Sequence, residues 1–119
     1  MSPDPAPAPE QGLKLHTYPW ENAIVVKCSG RLTTEHSGAL KEHVRKVIPT
    51  TKRVILDLKD VHKMDSSGLG AIVSLYVSAR KGNCELLLVN YNQSVKDLLG
   101  ITNLLSVFET AGQIGTRIP

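Results

Sequence analysis

A chain of 119 residues with 41% apolar side chains has material for one hydrophobic core and hence one domain. Fourteen Lys and Arg against eleven Asp and Glu leave a formal charge of +3. The basic residues are scattered, and one Trp, three Tyr and one Phe offer little for base stacking, which argues against direct nucleic-acid binding. No apolar run approaches the length of a membrane span.

The first ten residues hold four of the seven prolines and lack the basic start and apolar middle of a signal peptide. Residues 1–11 therefore read as a solvated, extended tail, and residues 12–119 as the domain. Leu13-Lys14-Leu15-His16-Thr17-Tyr18 alternates as a half-buried strand. Pro19-Trp20-Glu21-Asn22 reads as a turn, Ala23–Cys28 as the next strand, and Gly30 as its end. Thr33 or Thr34 is placed to cap a helix with the stripe Leu40, Val44, Val47 and Ile48, which Pro49 stops. A third strand spans about Arg53 to Leu58. Leu69, Ile72, Val73, Tyr76 and Val77 then give the apolar stripe of a helix on a sheet, with Gly82 as a left-handed terminator. Leu86–Val89 makes a buried fourth strand. Ser94 can cap a short helix through Val95, Leu98 and Leu99 that Gly100 ends. Ser106–Phe108 reads as a short fifth strand and Thr110 as the cap of a last, weak turn of helix. The alternation of strand and helix implies parallel neighbours with helices on the sheet. Cys28 and Cys84, in strand-like apolar settings, read as buried thiols, which fits a reducing cytoplasm.

The segment Met64-Asp65-Ser66-Ser67-Gly68-Leu69-Gly70 joins the third strand to the second helix and is the most informative in the chain. Two hydroxyls stand at a helix N-terminus, where backbone N–H groups lack intrahelical partners and the dipole favours negative charge. Ser66 is thus either a helix cap or the carrier of a phosphate; Ser67 could be the cap in its place. Gly68 and Gly70 read as allowing close backbone approach. Neither the Walker pattern nor the dinucleotide fingerprint is present. A serine hydrolase is the enzyme alternative, but the G-x-S-x-G elbow is missing and no histidine stands out as its base. His16, His36, His43 and His62 lack metal-ligand spacing, so neither metal nor cofactor is expected.

The Asp65-Ser66-Ser67-Gly68-Leu69-Gly70 junction, the upstream Gly30-Arg31-Leu32 turn, and the downstream Ser94–Leu99 helix leading to Phe108-Glu109 together resemble a STAS domain of the bacterial anti-sigma-factor antagonist type. The resemblance spans about Leu13 to Glu109. It implies a single α/β domain: a mixed sheet of four or five strands with helices mainly on one face. It also implies partner switching. The unphosphorylated antagonist binds an anti-sigma factor that is a serine kinase, freeing a sigma factor; phosphorylation ends the binding, and a phosphatase restores it. Carried over, Ser66 is the phosphoacceptor, flanked by Asp65, Ser67, Gly68 and Leu69, with Thr33 and Thr34 on the neighbouring turn completing a contact surface. Thr33 departs from the pattern, standing where many antagonists have an acidic residue. The chain is then a cytoplasmic, non-enzymatic binding module, a monomer or weak dimer. The alternative is a non-switching STAS scaffold subunit of a stress-signalling assembly, or an accessory of a membrane lipid transporter.

Overall fold

β1 (Leu13–Trp20) and β2 (Ala23–Leu32) form an antiparallel hairpin with Trp20 opposite Ala23. The strand thus runs through Pro19 and Trp20, which the sequence assigns to the turn, and the reversal is made by Glu21, at φ 54°, and Asn22 alone. Pro19 is tolerated because β1 is the edge strand of the described sheet. The computed structural model describes residues 12–101. The predicted fifth strand at Ser106–Phe108 and the turn capped by Thr110 lie outside them.

β2 pairs parallel with β3 (Arg53–Met64), and β3 pairs parallel with β4 (Glu85–Val89), giving a four-stranded mixed sheet in the order β1-β2-β3-β4. β2 does not end at Gly30. It passes through register shifts after Lys27 and after Gly30, whose φ of 108° suits glycine, and continues to Leu32. β3 likewise runs past Leu58 to Met64, pairing its polar extension with the far end of β2. These bulged extensions carry the ends of both strands to one corner of the molecule.

α1 (Ser37–Val47) buries Leu40 and Val44, and a 3-10 turn at Ile48–Thr50 follows, with Pro49 inside it. Neither threonine caps α1 with its side chain: the N-cap is His36, and the Thr33 carbonyl accepts the N–H groups of His36 and Ser37 at 2.9 Å. α2 (Ser66–Lys81) buries Gly68, Leu69, Ala71, Ile72, Leu75 and Ala79. Its buried stripe is turned from the predicted one: Ala71, Leu75 and Ala79 are buried, while Val77 is 46% exposed. Gly82, at φ −94°, is not left-handed; Asn83, at φ 58°, is, and the Cys84 N–H closes on the Ala79 carbonyl at 2.8 Å. α3 (Gln93–Ile101) is capped by Asn92, whose Oδ1 accepts the Val95 N–H at 2.9 Å. Ser94 therefore sits inside the first turn, and the helix continues through Gly100.

The main core lies between the sheet and the three helices. Val26, Cys28, Val54, Leu56, Leu58, Leu86 and Leu88 from the strands meet Leu40, Val44, Leu69, Ile72, Leu75, Val95 and Leu99 from the helices. Both cysteines are free and buried. Burial, followed by the charge of Asp57, pushes the Cys28 thiol up to about 12. Asp57 is itself buried, with Oδ1 accepting the Lys59 N–H and the Asn90 side-chain amide. Among the described residues no helix is long and apolar enough to cross a membrane.

Candidate functional site

The ends of β2 and β3 are adjacent because the two strands are parallel neighbours, with Leu32 opposite Met64. The chain leaving β2 and the chain entering α2 therefore share a corner. Asp65 ties them together. It has extended backbone at φ −113°, ψ −173°, and its carboxylate is the N-cap of α2. Oδ1 accepts the N–H groups of Ser67 at 2.9 Å and Gly68 at 3.0 Å. Oδ2 accepts the backbone N–H of Thr34 at 3.2 Å and its hydroxyl at 3.3 Å. The Thr34 hydroxyl also lies 3.0 Å from Ser67 Oγ. The Asp65 N–H donates to the Leu32 carbonyl at 3.4 Å.

Partial desolvation pushes the Asp65 carboxyl up, but the hydrogen bonds from Gly68, Thr34 and Ser67 outweigh it and hold the group below the ordinary carboxylate value. The site thus contains a fixed negative charge at the positive end of α2, placed as the helix dipole favours.

Neither serine is the cap. Asp65 takes that role, and Ser67 is engaged with Thr34 across the corner. Ser66 occupies the first helical position, is exposed, and among the described residues makes no side-chain hydrogen bond. Its hydroxyl is spared from structural duty.

Gly68 is required by contact. A Cβ placed there would overlap the Leu32 carbonyl oxygen and stand 2.9 Å from Leu32 Cγ and 3.1 Å from the Leu32 carbonyl carbon. This approach presses the start of α2 against the end of β2. Gly70 meets nothing within 4 Å, so the expectation of close approach fails there.

Of the residues expected on the surface, Asp65, Ser66, Ser67, Gly68 and Thr34 converge at the corner. Thr33 is buried at 8% exposure and makes none of the Asp65 bonds; Leu69 turns into the core. Thr34, exposed and next in sequence, bridges the two strand ends. Beyond the corner, α1 meets α2 through Arg45, whose guanidinium donates to Ser74 Oγ at 3.3 Å. Among the described residues no histidine is hydrogen-bonded to Ser66 or Ser67, and no group of three or more His, Cys, Asp or Glu is arranged to hold a metal ion. The arrangement leaves the Ser66 hydroxyl exposed beside a hydrogen-bonded polar frame of Asp65, Thr34 and Ser67.

Comparison with known proteins gives this frame its context. The chain is 29% identical over 96 residues to the anti-sigma-B factor antagonist of Bacillus subtilis, an alignment covering 78% of this chain and 85% of that one. It is 28% identical over 97 residues to the anti-sigma F factor antagonist of Paenibacillus polymyxa, covering 80% and 83%. Among solved structures, the antagonist SpoIIAA of Bacillus shares the fold. Its unphosphorylated form matches with a TM-score of 0.68 at 16% identity, covering 78% of this chain and 84% of that one. Its phosphorylated form matches with a TM-score of 0.64 at 14% identity, covering 80% and 87%. The STAS domain family model matches residues 16–116, from β1 through the serine corner and beyond α3, and the chain belongs to the STAS domain family.

Proposed function

We propose that this chain is an anti-sigma-factor antagonist working by partner switching, with Ser66 as the phosphoacceptor. The observation that carries the reading is the division of labour at the corner: Asp65 caps α2, leaving the adjoining Ser66 hydroxyl exposed and unengaged. The names of the curated relatives and the two forms in which SpoIIAA has been solved support the same reading. In it, the unphosphorylated chain binds an anti-sigma factor with serine-kinase activity, and a phosphatase reverses the modification.

A phosphate would add about −1.5 to −2 charges at neutral pH. The N–H groups of Ser67 and Gly68 already serve Asp65. The dianion would therefore project outward beside a second negative group without disturbing the cap. The fold tolerates this, but an interface does not. A partner surface shaped for a hydroxyl must desolvate or pair the new charge, a penalty of several kcal/mol, and about 1.4 kcal/mol is already tenfold in affinity.

The test is intact-mass analysis with phosphosite mapping after incubation with anti-sigma-type serine kinases and Mg-ATP. One phosphate on Ser66 is expected. Ser66→Ala should bind the kinase and resist modification, while Ser66→Asp should keep the fold and lose binding. Wild-type binding by both variants would refute the switch. A chain that takes no phosphate and elutes as part of a large particle would be a scaffold instead.

A further inference from the structure

Two serines of identical chemistry follow Asp65, yet the corner treats them differently. Ser66 is exposed and among the described residues makes no side-chain hydrogen bond, whereas Ser67 is half-buried with its Oγ 3.0 Å from Thr34 Oγ1. The direction of that bond follows from counting protons. A hydroxyl carries one proton, and an ionised carboxylate only accepts. Thr34 Oγ1 donates its proton to Asp65 Oδ2 at 3.3 Å. Between Thr34 and Ser67 the donor is then Ser67. The bonds run from the Ser67 hydroxyl through Thr34 to Asp65, while the other carboxylate oxygen holds the Ser67 N–H at 2.9 Å. Ser67 is therefore restrained at both backbone and side chain.

We infer that Thr34 is a positioning residue that directs phosphate to Ser66 and away from Ser67, an assignment that rests on Ser66 being the phosphoacceptor. Transfer from Mg-ATP forms a bond between the serine oxygen and the γ-phosphorus and breaks the bond from that phosphorus to the bridging oxygen. ADP leaves, and the hydroxyl proton passes to a base of the kinase. The attacking oxygen must face the phosphorus, roughly in line with the leaving oxygen. Ser66 Oγ is free to turn that way. Ser67 Oγ turns only by giving up its bond to Thr34, whose typical net worth corresponds to about tenfold in rate. The restraint can be removed without undocking the turn, because the Thr34 backbone N–H donates separately to Asp65 Oδ2 at 3.2 Å. One hydroxyl on the neighbouring turn thus chooses between two adjacent serines.

The test uses the full chain with anti-sigma-type serine kinases and Mg-ATP, mapping the phosphate on each serine. Thr34→Val removes the hydroxyl and keeps the branched shape; Thr34→Ser keeps the hydroxyl. Wild type should be modified on Ser66 alone, and Ser66→Ala on neither serine. Adding Thr34→Val to Ser66→Ala should raise modification of Ser67 by about tenfold or more, while adding Thr34→Ser should not. Suppose wild type takes phosphate on Ser66. An unmodified Ser67 in Ser66→Ala/Thr34→Val, or a modified Ser67 with Thr34 intact, would then overturn the selection and leave Ser66 as the acceptor. No phosphate on wild type would refute the acceptor reading and the selection with it. Side-chain scalar couplings of Ser67 read the restraint without a kinase. They should report one rotamer in wild type and averaging in Thr34→Val; averaging in both, or one rotamer in both, would overturn the role of Thr34.

Discussion

Two glycines in the same motif, two residues apart, should respond to alanine with opposite signs. At Gly68 the new methyl would overlap the Leu32 carbonyl oxygen and crowd Leu32 Cγ at 2.9 Å. A backbone carbonyl cannot rotate away as a side-chain end can, and Leu32 is fully buried in the core. The start of α2 must move off the end of β2, straining the Asp65–Thr34 bonds. Overpacking of this kind costs about 1–3 kcal/mol, and the backbone partner places Gly68→Ala toward the upper end. Gly70 is exposed, helical and free of neighbours within 4 Å. There alanine lowers only the chain's conformational freedom, a gain of about 0.5–1 kcal/mol. Urea denaturation followed by Trp20 fluorescence reads both. With a slope of about 1–3 kcal/mol/M, Gly68→Ala should lower the midpoint by roughly 1–2 M and Gly70→Ala should raise it by about 0.5 M. Shifts of the same sign, or a neutral Gly68→Ala, would refute the close approach of α2 to β2 and the frame built on it.

Asp65→Asn keeps the size of the cap but turns an amide toward the Thr34 donors, and should cost about 1–2 kcal/mol at neutral pH. Because the folded protein lowers the Asp65 value, its contribution is present above the ordinary carboxylate value and is lost as pH falls through the lowered one. The gap between wild type and Asp65→Asn in urea midpoints should therefore narrow from pH 7 to about pH 2.5. Asn83→Ala should destabilise by about 1–2 kcal/mol in the same assay, because the left-handed backbone at φ 58° disfavours a Cβ without a polar handle. Burial raises both thiols, so neither Cys28 nor Cys84 should react with an aromatic disulfide reagent in the native protein, and both should react in urea.

The order of strands and helices was legible because strand alternation and helical stripes are both strong here, and the Asp-Ser-Ser-Gly junction stands out between them. The details that escaped share a cause: each depends on a neighbour distant in sequence. Asp, Ser and Ser are all competent caps, and only the turn after β2, delivering Thr34 to the other carboxylate oxygen, engages both oxygens of Asp65. Thr33 and Thr34 are indistinguishable in sequence; the irregular pairing of β2 beyond Lys27 precedes the point where one is buried and the other exposed. The extension of β3 has few apolar residues and pairs only with β2, so no pattern announces it. In α2, Ala71 and Ala79 hold buried positions that a search for large apolar side chains passes over, which shifted the predicted stripe onto Val77.

The two halves of the serine corner lie on segments that follow different strands, joined through the whole of α1. They meet only once β2 and β3 have paired in parallel. Closing a loop of about thirty residues costs roughly 3 kcal/mol of chain entropy before any contact rewards it, so the corner has no local precursor that could form early and persist. A kinase reading this frame would read the completion of folding as well as the state of one hydroxyl. Chains still on the ribosome, or opened at the β2–β3 seam, would present the same Asp-Ser-Ser-Gly sequence without the shape that makes it recognisable.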